Sequence, residues 1–222
     1  MNSDFQLKEF WQKMDTQVLA IRIIWLFHLT AIFGVTIGFF DFFIPKTPLN
    51  LSLSFCLLIA IFPIDSLKKI LLTTLFFGVG MLVEWIGVHY DFLFGVYEYG
   101  ENLGLKIDGV PLLIGIYWAV LVLITGVVAN EVKIPKIAKV LFGAFLMVLL
   151  DFLMEASAPI FDFWTFAGGF APIRNYIAWF GIAAFLHSIF QWAKLKGDVR
   201  FCFNLYACQF IFFTYFYVYN SL

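Results

Sequence analysis

Between Val18 and Asn220 the chain is a succession of apolar runs, each close to twenty residues long, separated by short charged or proline-bearing breaks. A run of that length, wound as an α-helix, spans the roughly 30 Å hydrocarbon core of a bilayer. Backbone groups in lipid must find hydrogen-bond partners within their own segment, so helices are the expected form. The runs fall at 18–43, 48–64, 67–89, 111–129, 137–156, 172–192 and 201–220. Of the 222 residues, 63% are hydrophobic and only 13% are charged, more apolar surface than a water-soluble domain of this size can hide. The expected architecture is therefore all-α: one polytopic membrane domain of seven transmembrane helices covering 1–222. Residues 1–17, with Phe5, Phe10 and Trp11, read as an interfacial segment without the order of a cleavable signal.

The positive charges sort with these spans. Lys8, Lys13, Arg22, Lys68, Lys69, Lys133, Lys136, Lys139, Lys194, Lys196 and Arg200 fall on one side of a seven-span chain, and Lys46, Lys106 and Arg174 on the other. By the positive-inside rule this predicts a protein of the cell (inner) membrane with its N-terminus cytoplasmic and its C-terminus outside. Six or eight spans would scramble the segregation.

One stretch breaks the apolar pattern. From Glu84 the sequence reads EWIGVHYDFLFGVYEYG, placing a carboxylate inside a span and then acids and aromatics at its end. The same spacing returns further on. Glu84 precedes Asp91-Phe92 by seven residues, as Glu155 precedes Asp162-Phe163; Pro111 precedes Trp118 by seven, as Pro172 precedes Trp179. The spacing predicts an internal two-helix parallel repeat, 67–129 and 137–192, related by a pseudo-twofold along the membrane normal.

Ionisable groups inside spans are costly and are functional candidates for that reason. Glu84, Asp151 and Glu155 sit in the outer ends of the third and fifth spans, and Asp151 and Glu155 share one helix face. Such carboxyls repel when both are charged, and lipid disfavours the charge itself, a setting in which a carboxyl can deliver a proton to a weakly basic alkene. The bland alternative is a polar network that holds helices together. Tyr90, Tyr97, Tyr99, Tyr117, Trp118, Trp164 and Trp179 cluster at the same level. They are expected either as an interfacial belt or as the lining of a tunnel whose ring faces stabilise a carbocation.

Other chemistries lack their residues. The three histidines, His28, His89 and His187, are too scattered for a membrane di-iron centre. The last span has no lysine for a retinal Schiff base, and there is no aspartate-rich diphosphate motif, phosphate loop or redox motif. Cys56, Cys202 and Cys208 have neither metal-ligand nor redox spacing. No cofactor and no metal are expected, and nothing points to nucleic acid.

Four pieces together carry a resemblance: EWIGVHYDFLFGVYEYG from Glu84, GVPLLI from Gly109, Asp151 with the DFW that starts at Asp162, and PIRNYIAW from Pro172 to Trp179. They resemble the carotenoid biosynthesis membrane protein family, which includes hydratases acting on acyclic carotenoid ends, of the carotenoid 1,2-hydratase and bisanhydrobacterioruberin hydratase kind. The resemblance covers about residues 75–190. It departs where Glu155 is followed by Ala-Ser-Ala-Pro in place of a directly following proline.

The resemblance implies acid-catalysed addition of water to a terminal isoprene double bond. Glu84 is the expected acid, with Asp151 or Glu155 as partner; Asp91 and Asp162 would orient water with Asn175. Arg174 is expected to pair with a loop carboxylate such as Asp162. A cyclase sharing the protonation step, or a non-catalytic lipid- or carotenoid-binding or transport protein, are the alternatives. The implied partners are a long acyclic carotenoid, the bilayer and other enzymes of the same pathway.

Overall fold

The computed structural model describes the backbone of residues 3–220 and the side chains of residues 15–220; the interfacial character expected of Phe5, Phe10 and Trp11 lies outside the described side chains. The chain is mostly helical. Among the described residues eight α-helices follow in order: α1 (Ser3–Thr36), α2 (Phe40–Phe43), α3 (Thr47–Ile61), α4 (Leu67–Tyr90), α5 (Leu112–Glu131), α6 (Lys136–Glu155), α7 (Ile173–Trp192) and α8 (Val199–Tyr219). Four short strands interrupt the all-α expectation: β1 (Tyr97–Tyr99), β2 (Lys106–Ile107), β3 (Val110–Pro111) and β4 (Trp164–Phe166). They form two antiparallel ribbons, β1 with β4 and β2 with β3.

Among the described residues six segments are long and apolar enough to cross a membrane: Asp15–Thr36, Phe40–Ile61, α4, α5, α6 and α8. The boundary expected at Phe43 moves. The chain breaks after Thr36 at Gly38, whose φ of 97° is a conformation that costs glycine little. Phe40–Phe43 then join α3 through a short 3-10 turn at Ile44–Lys46 and belong to the second segment. The backbone of α1 runs unbroken from Ser3 to Thr36.

Helix α7 has 20 residues, but Arg174, Asn175, His187, Ser188 and Gln191 dilute its hydropathy and it is not among the six. The polar residues are sorted by face. Asn175, His187 and Gln191 are buried in the bundle, while Ile173, Ile177, Phe185 and Trp192 point outward.

The core is built around α5, which is covered on nearly every side by α3, α4, α6, α7 and α8; Trp118, Leu121, Val122 and Ile124 are wholly buried. The outer surface carries Leu26, Phe33, Leu82, Phe145, Phe185 and Ile211 exposed. So extended an apolar exterior is unfavourable in water and suits acyl chains. Hydroxyls on the helices bond back to their own backbone, as Thr30 does to Leu26 O at 2.7 Å and Ser188 to Ala184 O at 2.8 Å. That satisfies a polar group without help from solvent.

Helix ends have visible causes. Asp198 caps α8 by accepting from Phe201 N at 2.8 Å. Asp91, with φ of 53°, stops α4 in the left-handed conformation. Asp162 takes nearly the same φ, 54°. Pro111 and Pro172 occupy the N-cap positions of α5 and α7.

Candidate active site

At one end of the bundle α4 and α6 finish, α5 and α7 begin, and the β1–β4 ribbon closes over them. The carboxylate of Glu84, on the last turns of α4, is 3% exposed. A bare carboxylate there would be very costly. It is held by three donors from two other elements. Tyr97 Oη donates to Glu84 Oε2 at 2.6 Å, Tyr99 Oη donates to the same oxygen at 2.7 Å, and Trp118 Nε1 donates to Oε1 at 2.9 Å. Tyr97 and Tyr99 lie two apart on β1, so their side chains share a face. Burial, reinforced by the neighbouring Glu84, pushes both phenols above their ordinary range.

The ribbon is in register through Tyr97 opposite Phe166 and Tyr99 opposite Trp164. It therefore brings the loop after α4 against the loop after α6. Trp164 Nε1 donates to Glu155 Oε2 at 3.1 Å, and Asn175 Nδ2, on the first turn of α7, donates to Asp151 Oδ2 at 3.0 Å. Each of these two carboxylates accepts its bond through one oxygen. Asp151 is fully buried and Glu155 half-buried, one turn apart on α6.

All three carboxylates face one cavity. The cavity has a volume of about 30 Å³. That is room for a water or two beside the acids, since one water centre needs roughly 10–15 Å³. Around it stand the rings of Phe94, Tyr97, Tyr99, Tyr117, Trp118, Trp164, Phe166 and Trp179. Trp118 and Trp179 stack with centroids 4.0 Å apart and planes 21° off parallel.

Ten of the residues expected at the site thus converge: Glu84, Asp151, Glu155, Tyr97, Tyr99, Tyr117, Trp118, Trp164, Asn175 and Trp179. Three do not line the cavity. Asp91 is exposed because its left-handed turn, which ends α4, carries it away. Tyr90 is 63% exposed and lies edge-on to Trp85. Asp162 is exposed and accepts from Glu101 N at 2.8 Å, tying the two loops together. The expected Arg174–Asp162 pair is not formed. Arg174 is exposed beside Phe170 and Pro172, at a separate shallow depression.

Phe94, Ile114, Met154 and Phe166 line the cavity without having been singled out in the sequence. Phe166 could have been found only from the strand pairing; Ile114 and Met154 sit one turn from Trp118 and Asp151 and follow from helical spacing. Among the described residues no group of three or more His, Cys, Asp and Glu side chains is arranged to hold a metal ion.

These features define a multi-helix bundle of membrane type, with buried acids and aromatics gathered at one end. The profile of the carotenoid biosynthesis protein family matches residues 48–221, from α3 to the end of the chain, and the protein belongs to that family. Its role accordingly lies in carotenoid biosynthesis. No curated protein and no solved structure matches the chain.

Proposed function

We propose that the protein is a hydratase that adds water across the terminal isoprene double bond of an acyclic carotenoid end. The observation that carries this reading is the convergence of three carboxylates on one aromatic-walled cavity with room for water. Hydration needs a proton donor, a wall that tolerates a cation and a held water molecule, and the cavity offers residues for each.

The hydrogen bonding suggests a division of labour. Glu84 has both oxygens occupied, and Trp118 Nε1 can only donate. The three donors fill most of the lone pairs of Glu84, and an anionic Glu84 in this cage is a fixed counter-charge for a nearby cation. Asp151 and Glu155 accept from Asn175 and Trp164 through one oxygen each. In the proposed sequence one of this pair gives its proton to the less substituted alkene carbon. The π pair becomes the new C–H bond and leaves a tertiary cation beside the aromatic rings that line the cavity. Water then attacks the cation, and its surplus proton passes to the other carboxylate, so that the net change is one H and one OH added to the double bond.

Seven spans and the twin-unit architecture belong to the same proposal. Helix α7 presents an apolar outer face, which suits a seventh span. Asp91 and Asp162 share a rare backbone conformation, Pro111 and Pro172 cap corresponding helices, and the corresponding Trp118 and Trp179 stack. The positive charges argue for a cytoplasmic N-terminus.

The 30 Å³ of water-accessible room is far too small for an isoprenoid end group. Substrate entry must therefore displace the ribbon or the rings beneath it. The test is expression in cells that accumulate an acyclic carotene, followed by mass analysis of the pigments. A product heavier by one water supports the hydratase, an isomer of unchanged mass indicates a cyclase, and unchanged substrate with retained pigment indicates a binding protein.

A further inference from the structure

At the opposite end of the bundle, where α5 ends, α6 begins and α7 passes into α8, a second cavity of about 600 Å³ opens between the helices. Its rim carries Lys136, Lys139, Lys194 and Lys196 against a single carboxylate, Glu131. Nearby lysines are neutralised or tied down. Lys69 pairs with Asp65 at 2.9 Å, and Lys68 donates to Ala193 O at 2.7 Å. Lys139 donates to Asn130 O at 2.7 Å, which occupies one of the three protons of its ammonium. Lys136, Lys194 and Lys196 have no carboxylate partner among the described residues.

A hollow lined by charge of one sign focuses the field and draws anions into it. The first turn of α6 faces the same place and has no side-chain cap, so its free N–H groups add partial positive charge. Apolar surface adjoins the lysines in sequence. Ile137 is 76% exposed and Trp192 is 78% exposed, a composition that suits the boundary between headgroups and acyl chains.

We propose that this cavity binds a phosphate-bearing anion, supplied either by the headgroup of an anionic lipid or by a soluble phosphate compound. It shares no residue with the acid site, so the proposal stands or falls apart from the hydratase reading. The test is native mass spectrometry of the detergent-purified full chain, titrated separately with phosphatidylglycerol, phosphatidylcholine and inorganic diphosphate. The same titrations are made on the triple variant Lys136→Gln, Lys194→Gln, Lys196→Gln.

Retention of phosphatidylglycerol well above phosphatidylcholine identifies the lipid source, and retention of diphosphate the soluble one. In either case the triple variant should bind roughly a hundredfold more weakly, at about fivefold per lysine near a charged surface. Raising the salt concentration should weaken wild-type binding, because these charges are exposed; this second measurement does not depend on how the variant folds. No retention of either anionic probe overturns the proposal. Equal retention of the anionic and zwitterionic lipids, or binding indifferent to salt and to the lysines, overturns it as well.

Discussion

Replacing Glu84 separates a caged carboxylate from a merely polar filler. In Glu84→Gln the amide oxygen can keep the bond from Trp118 Nε1, because that indole only donates. The amide nitrogen then faces Tyr97 and Tyr99, whose hydroxyls can turn to accept. All three contacts survive as neutral bonds. A hydrogen bond to a charged group contributes about 1.5–3 kcal/mol against about 0.5–1.5 for a neutral one. The substitution therefore costs at most about 3–4 kcal/mol, partly offset because no charge is buried.

Glu84→Ala instead strands three buried donors at about 1–3 kcal/mol each and leaves a void as well. At roughly 2–4 °C per kcal/mol for a chain of this length, the glutamine variant should melt within about 10 °C of wild type, and the alanine variant clearly lower. Thermal melting in detergent by tryptophan fluorescence measures both, alongside turnover per folded molecule from pigment mass. Turnover of the glutamine variant should fall by about 10²–10³, the usual loss when a fixed electrostatic partner of the transition state is removed. Equal melting of the two variants would refute the cage, and wild-type turnover in Glu84→Gln would refute the role.

Three further outcomes follow from the same geometry. A Cβ on Gly80 would lie 2.5 Å from Trp118 Cβ, so Gly80→Ala should push the indole off Glu84, destabilise by about 1–3 kcal/mol and reduce turnover, as melting and pigment assays would register. Tyr97 and Tyr99 have phenols raised by burial and by Glu84. Their contribution to stability is whole below the ordinary phenol value near 10 and is lost as pH rises above it, so an absorbance titration should show these two tyrosines ionising only with unfolding. Asn175→Ala removes a donor on Asp151 and should lower turnover with little change in pigment binding, measurable as a fall in kcat at nearly constant KM.

The long helices were legible because membrane thickness dictates a run length that hydropathy reads directly. The break at Gly38 was not, since a single left-handed glycine leaves the apolar run around Phe40–Phe43 intact. That Glu84, Asp151 and Glu155 lie at one level could be read from the topology, since the third and fifth spans both run outward. Their hydrogen-bond partners could not. Which donors reach Glu84 depends on the pairing of Tyr97 with Phe166, a contact between three-residue strands that have no pattern long enough to reveal a register. Asp91 and Asp162 looked catalytic by position, but both sit in turns whose geometry directs them outward. Whether an acid beside a helix end enters a site or shapes the turn is decided by one φ angle.

Isotope incorporation tests acid-catalysed hydration most directly. Purified protein is given an acyclic carotene in heavy-oxygen water, and separately in deuterated water, under ordinary dioxygen. The account predicts that the new hydroxyl takes its oxygen from water and that the adjacent carbon gains one non-exchangeable deuterium from the acid. Oxygen drawn from dioxygen, or a hydroxylated product without carbon-bound deuterium, would contradict it.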